Sequence, residues 1–269
     1  MCNFLSAIVL KSGDILHHPM LDSHTDIQRY FSKRLDLTNL LRDEDRLERF
    51  ARVEFSPTEE TWFEPEKWDL RIDEDITPKW WDETMQNQTR KRLVHLVKTM
   101  TLVEGDHDLI VDGCWIVGGK AKVKDVRGGR IMTVRDSAQI TNVRGSAQIT
   151  NVRGSAKITD VWDSAQITNV WGSAKITNVR GSAKITSVWG SAKITDVRDS
   201  AQITNVRGSA QITDVWDSAQ ITNVWDSAQI TDVRDSAQIT SVWDSAQITN
   251  VWGSAKITNV RGSAKITSV

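Results

Sequence analysis

The sequence predicts a mainly β protein built as a parallel β-solenoid preceded by a small α+β domain. Three observations lead there. From Arg135 to Val269 the chain is fifteen consecutive copies of a nine-residue phrase, Arg/Trp-Asp/Gly-Ser-Ala-Lys/Gln-Ile-Thr-Asn/Asp/Ser-Val, with no insertion. Self-similarity at a short fixed period marks a repeat architecture, and nine residues are too few for a helical repeat. Ala, Ile and Val are the constant apolar positions, and Ala and Ile alternate with Lys/Gln and Thr as on a half-buried strand.

Each phrase therefore reads as one strand and one turn. The Ile-to-Val step of three breaks the alternation and implies a bend near the Asn/Asp/Ser position. Asp/Gly-Ser is a second turn signal. Successive coils then stack about 4.8 Å apart, the spacing of paired strands.

The coil length is read from the variable positions. At a spacing of twenty-seven the Arg/Trp position sorts into Arg135, Trp162, Trp189, Trp216, Trp243; then Arg144, Trp171, Arg198, Trp225, Trp252; then Arg153, Arg180, Arg207, Arg234, Arg261. The residue after Thr in the third column is Asp160, Ser187, Asp214, Ser241, Ser268, without an Asn. This sorting predicts a three-sided coil of about 27 residues, with Trp189 over Trp162 and Trp216 over Trp189. Five such coils rise to roughly 24 Å. A two-sided coil of 18 residues is the alternative, because Val161 to Ser187 recurs letter for letter at Val242 to Ser268. Duplication of a three-phrase unit makes the same columns whatever the coil. Residues 105–134 read as a degenerate first coil.

On the three-sided reading, Trp162, Trp189, Trp216 and Trp243, with Trp171, Trp225 and Trp252, form a flat aromatic contact surface for sugar rings, bases or another protein. Arg153, Arg180, Arg207, Arg234 and Arg261 form a separate anion-contact column. Each set also has a structural reading: aromatic ladders stabilise stacked strands, and Arg on a corner keeps a rod soluble. Thr at every ninth position suggests an ice-binding face, but the interspersed Lys residues spoil the flatness such a face needs.

Residues 1–104 read as the small domain. A hairpin runs through Cys2 to Leu10, a turn at Lys11 to Asp14, and Ile15 to His18. Ser23, with Asp26 three residues on, marks a helix start. Arg49 to Phe55 and Trp68 to Ile72 alternate as strands do. Thr77 and Pro78 fit the N-cap and first position of an amphipathic helix that ends near Met100.

Composition excludes several classes. The chain carries 34 Lys and Arg against 35 Asp and Glu, which argues against a strongly basic or acidic identity. Two cysteines in 269 residues make no disulfide framework. The apolar run Phe4 to Leu10 is too short to span a bilayer. A cytoplasmic protein without a membrane partner is the expectation.

Three features of the first domain carry reactive residue types. Cys2 would become N-terminal if Met1 were removed, and such a cysteine can act as a nucleophile with its own amine as base. A cysteine opening a buried strand is the simpler reading. His17, His18 and His24 with Asp22 are metal-capable but match no ligand spacing, and read as turn and cap residues. Asp73 to Asp75 suit a helix N-terminus. No catalytic, cofactor-binding or metal residue is assigned, and no cofactor is implied.

The tandem DSAQITNV and GSAKITNV phrases resemble the short-period Gly/Asp-Ser-Ala solenoid repeats of bacteriophage and prophage proteins. MCNFLSAIVLKSGDI, with EDITPKWW before a helix, is similar to N-terminal domains of the same group. The resemblance implies a phage-encoded protein of the host cytoplasm or the virion, and brings no activity or site residue with it. The expected function is a non-enzymatic structural or binding protein whose partner is a protein or carbohydrate rather than nucleic acid. The alternative places the activity in the N-terminal domain, as an enzyme or host-protein inhibitor, with the solenoid as a spacer or oligomerisation rod. The repeat runs to Val269 without a polar cap, so either the chain is cut short or its last coil meets a partner; a complete chain is expected to form a homodimer through residues around Ala246 to Val269.

Overall fold

A computed structural model describes residues 5–35, 37, 41 and 46–268. The chain divides into two compact units, Met1–Thr101 and Leu102–Val269.

In the first unit, β1 (Leu5–Leu10) is buried along its whole length and lies inside an antiparallel sheet. Its neighbours are β2 (Ile15–Leu16) and β3 (Phe50–Ser56), and β4 (Asp69–Ile72) closes the order β2-β1-β3-β4. Gly13, at φ +90°, supplies the left-handed residue that the β1–β2 turn needs. Helix α1 (His24–Arg34) starts where the sequence places it, with the Ser23 hydroxyl accepting from the Asp26 amide at 3.4 Å. Its Ile27 packs with Ile8, Leu10, Leu16, Leu41 and Phe50. A single helical turn, α2 (Arg46–Arg49), leads into β3.

The long helix begins later than Thr77. Helix α3 is Glu83–Thr99, and its N-cap is Asp82, whose carboxylate accepts from the Met85 amide at 2.8 Å. Pro78 instead starts a tight turn in which the Trp81 amide donates to the Pro78 carbonyl at 2.9 Å. The Trp80 indole N–H is drawn to the Leu47 carbonyl at 2.6 Å. A carboxylate on an extended residue is the better cap, and it wins.

The second unit is a parallel β-solenoid with a period of 18 residues, not 27. Ile158 pairs with Ile140 below and Ile176 above, and every later repeat follows this step. Two ten-stranded parallel sheets result, each taking alternate nine-residue phrases. The turn explains why two phrases close a coil. All fifteen Asp/Gly positions have positive φ, from Asp136 at 59° to Gly262 at 68°. The residue three positions after the turn start donates back across it, as when the Ala138 amide bonds the Arg135 carbonyl at 3.2 Å. A positive φ at the first central position, with the backbone bond across the turn, reverses the chain tightly, as in the turns of hairpins. A three-sided coil would need open corners instead.

The rod starts before the clean repeats. Asp106–Ile110 pairs with Lys122–Val126, and Cys114–Val117 with Arg130–Val134, so residues 105–134 already form coils. Ten strands at the standard spacing make the rod roughly 43 Å long rather than 24 Å. Ala, Ile and Val of both sheets meet in one core that runs unbroken from Ile110 to Ile248. Each of those Ile residues from Ile131 on is at most 1% exposed.

Candidate functional site: two edge ladders

The eighteen-residue period mixes Arg and Trp on both edges of the rod. One edge carries Arg135, Arg153, Trp171, Trp189, Arg207, Trp225, Trp243 and Arg261 in succession. The other carries Arg127, Arg144, Trp162, Arg180, Arg198, Trp216, Arg234 and Trp252. Each is fixed by its amide, which donates to a carbonyl of the coil below: Ile110 for Arg127 and a Val for the rest, as Trp171 does to Val152 and Trp189 to Val170, both at 2.9 Å. The separate Trp and Arg columns expected from a 27-residue coil therefore do not exist. Trp189 lies over Trp171, and Trp162 has Arg144 and Arg180 as its neighbours.

The mixing makes the ladders cohesive. On the first edge Arg153, Trp171, Trp189 and Arg207 form one continuous stack. Its guanidinium-to-ring distances are 5.3 Å at both ends, and its two indoles lie 5.0 Å and 5° apart. On the second edge Arg144 and Arg180 sandwich the Trp162 ring at 5.1 and 5.2 Å, and Arg198 covers Trp216 at 5.5 Å. A cation over an indole face is attractive, whereas stacked guanidinium groups repel. Both faces of Trp162, Trp171 and Trp189 are covered in this way, so these rings present their edges. Trp162, Trp171, Trp189, Trp216 and Trp225 are half-buried; only Trp243 and Trp252 are exposed, at 40% and 57%.

The two edges differ in what flanks them. The residue in register with the one after Thr is Asp or Asn beside the Arg127–Trp252 edge, at Asp125, Asn142, Asp160, Asn178, Asp196, Asp214, Asp232 and Asn250. Beside the other edge it is Thr133, Asn151, Asn169, Ser187, Asn205, Asn223, Ser241 and Asn259, with no Asp. The acidic residues meet the Arg-richer ladder. Arg144 grips Asp125 with two hydrogen bonds, at 2.9 and 2.6 Å, and Arg127 adds a third at 2.7 Å. These hydrogen bonds, that of Arg144 first, hold the Asp125 carboxyl below its ordinary range. Arg180 reaches Asp160 at 3.6 Å, and Arg234 pairs with Asp214. Among the described residues Asp196 has no such donor; burial first, then Asp214, push its carboxyl up.

On the neutral edge, amides form their own ladder. Asn169 donates to Asn151 at 3.2 Å and Asn223 to Asn205 at 3.0 Å. Where Ser241 replaces Asn, the shorter side chain leaves a cavity of about 100 Å³ beside Trp225 and Trp243.

The sequence held a signal for this arrangement. At a spacing of eighteen, Asp after Thr falls on one sheet only. The Asp/Gly turn position carries a second signal. Its Asp side chains accept from the turn amide one coil earlier: Gly181 to Asp199 at 2.9 Å, Asp199 to Asp217 at 3.3 Å, and Asp217 to Asp235 at 3.4 Å.

In the first unit, Cys2 lies outside the described residues. His17, His18 and His24 do not converge. His17 Nδ1 contacts the Ser6 carbonyl at 3.2 Å, and its ionisation is suppressed chiefly by burial. The His18 ring packs against Tyr30, 4.5 Å between centroids. His24 lies instead beside Asp73, 3.0 Å from its carboxylate. Asp73 itself follows β4 and heads no helix. Among the described residues, no helix is long and apolar enough to cross a membrane. No protein-family model, curated protein or solved structure matches the chain.

Proposed function

We propose that the chain is a non-enzymatic binding or scaffold protein, in which a rigid solenoid presents the edge carrying Trp171, Trp189, Trp225 and Trp243 to a protein partner. The observation behind this reading is the stack Arg153–Trp171–Trp189–Arg207, whose ring faces are occupied by one another. Sugar rings and bases bind indole faces, which this edge does not offer along that stack. Indole edges flanked by Asn, Ser and Thr suit a protein surface, where Trp and Arg are the favoured anchors. The opposite edge, with its Asp carboxylates paired to Arg, is more polar and serves as the structural one.

The test compares the two edges in the full-length protein. Trp171, Trp189, Trp225 and Trp243 are replaced by Thr in one variant, and Trp162, Trp216 and Trp252 in another. Partner capture and glycan-array binding are then compared with the parent protein. The reading requires loss of protein capture in the first variant only. Equal effects in both variants, or binding confined to glycans, defeat it.

A second reading places the activity in the N-terminal domain and leaves the rod as a spacer. The juxtaposition of His24 and Asp73 favours it, since reactive residue types converge there and not on the rod.

A further inference from the structure

We propose that His24, Glu54 and Asp73 form a binding site for a divalent transition-metal ion in the N-terminal domain. Their ligand atoms all lie within 4.8 Å of one another. Three separate elements bring them together: His24 is the first residue of α1, Glu54 lies on β3, and Asp73 directly follows β4, the strand paired with β3. The Asp73 amide donates to the Arg52 carbonyl at 2.8 Å, which fixes its backbone beside β3.

The hydrogen bonding at His24 points to a missing cation. Its side chain is 7% exposed, and Nε2 lies 3.0 Å from the Val53 carbonyl oxygen. A carbonyl only accepts, so Nε2 carries a proton in this contact. In the neutral ring Nδ1 is then a bare acceptor, yet it sits 3.0 Å from Asp73 Oδ2, which is also an acceptor. Two acceptors at that distance require a proton or a metal ion between them.

Glu54 decides between these. A ring proton satisfies Nδ1 and one oxygen of Asp73, and leaves the half-buried Glu54 carboxylate facing the same cluster without a cation. The Glu54 carboxylate makes no hydrogen bond or ion pair among the described residues, and Arg71, its partner in sheet register, is engaged by Asp69. A divalent ion neutralises both carboxylates at once. Ligands about 2.1 Å from a common ion lie about 3 Å apart at the right angles of a six-coordinate site, which matches the His24–Asp73 separation, and about 3.4 Å apart at the tetrahedral angle. The Nε2–H bond to a backbone carbonyl is the outer contact that orients metal-binding histidines.

One imidazole and two carboxylates suit Zn²⁺ or Mn²⁺ rather than the all-oxygen sites of Ca²⁺ and Mg²⁺. Three protein ligands leave positions for water, and the Asp73 side chain is 57% exposed, so the ion would face solvent on that side. This inference does not rest on the binding role proposed for the rod.

The test uses full-length, tag-free protein stripped with a chelator. Zn²⁺ is titrated by calorimetry and Co²⁺ followed by its visible absorption, at pH 7. One ion per chain is expected. Asp73→Asn and Glu54→Gln should each weaken binding at least tenfold and diminish the Co²⁺ band, while His95→Gln, an exposed position on α3, should change neither. Circular dichroism checks that the variants fold, and if Glu54→Gln does not, Asp73→Asn at its exposed carboxylate decides alone. Failure to bind one ion per chain overturns the proposal, as does affinity unchanged in Asp73→Asn. So does a ring NMR signal showing His24 as an imidazolium paired with Asp73 and unmoved by Zn²⁺.

Discussion

Trp189 lies face to face on Trp171, with ring centroids 5.0 Å apart and planes within 5°, and its other face is covered by Arg207 at 5.3 Å. An aromatic pair contributes about 0.5–1.5 kcal/mol beyond burial and an exposed cation–π contact about 0.5–1. Trp189→Ala should therefore cost about 1–2.5 kcal/mol, read as a lowered urea midpoint of the full-length protein. Trp189→Arg should cost less, because a guanidinium can cover Trp171 from above as Arg153 covers it from below. If Arg is as damaging as Ala, stacking along the ladder is not what holds it.

The turn position allows a sharper ordering. Asp217 has φ 56°, and its carboxylate accepts from the Asp199 amide one coil below at 3.3 Å. Gly fits that conformation without strain, whereas Ala in the left-handed region costs about 1–2 kcal/mol. Both substitutions lose the acceptor. Thermal melts should rank the native protein above Asp217→Gly, and Asp217→Gly above Asp217→Ala. Equal melting of the Gly and Ala variants would contradict the turn geometry.

The strands, the core triplet Ala-Ile-Val and the two turn signals were legible in the sequence, because each is a local pattern repeated fifteen times. The coil length was not, because the duplicated block and the coil have different periods. Val161 to Ser187 and Val242 to Ser268 are identical but lie 81 residues apart, which is four and a half coils. Trp162 and Trp243 are the same letter of the same phrase, yet they stand on opposite edges. Such a block fits either sheet, so it records its own copying and not the fold. Asp after Thr is the exception. It falls beside the Arg-richer ladder, where Asp160 meets Arg180 and Asp214 meets Arg234, and it stays on one sheet. The His24–Glu54–Asp73 cluster was illegible for another reason: its residues come from α1, β3 and the end of β4, and only the sheet register joins them.

Asp125 should behave as a stabilising acid. Its side chain is 9% exposed and accepts from Arg144 and Arg127, which lowers its folded pKa. The stability it contributes is present above the unfolded carboxyl value of about 4 and is lost as pH falls through the lower folded value. Asp125→Asn should cost about 1.5–3 kcal/mol at pH 7, the range for hydrogen bonds to charged groups. The deficit should shrink steadily below pH 4 in chemical denaturation. A deficit independent of pH would mean that packing at this position, and not its charge, holds the coil.

Asp196 should show the opposite sign. Burial and the like charge of Asp214 raise its folded pKa, so the ionised form is disfavoured in the fold. Below about pH 4 the carboxyl is protonated in both states and there is no penalty. As pH rises past that value the unfolded chain releases its proton first, and stability falls until pH exceeds the raised folded value. Above that, the penalty is constant. Asp196→Asn removes the charge and supplies an amide that can donate to Asn178, as Asn178 donates to Asp160 at 2.9 Å and Asn250 to Asp232 at 2.8 Å. The variant should therefore melt higher than the native protein at pH 7, with the gain disappearing below pH 4. Melting curves at pH 7 and pH 3 decide the matter: a variant less stable at pH 7, or one whose gain persists at pH 3, would show that the charge of Asp196 is accommodated in the ladder.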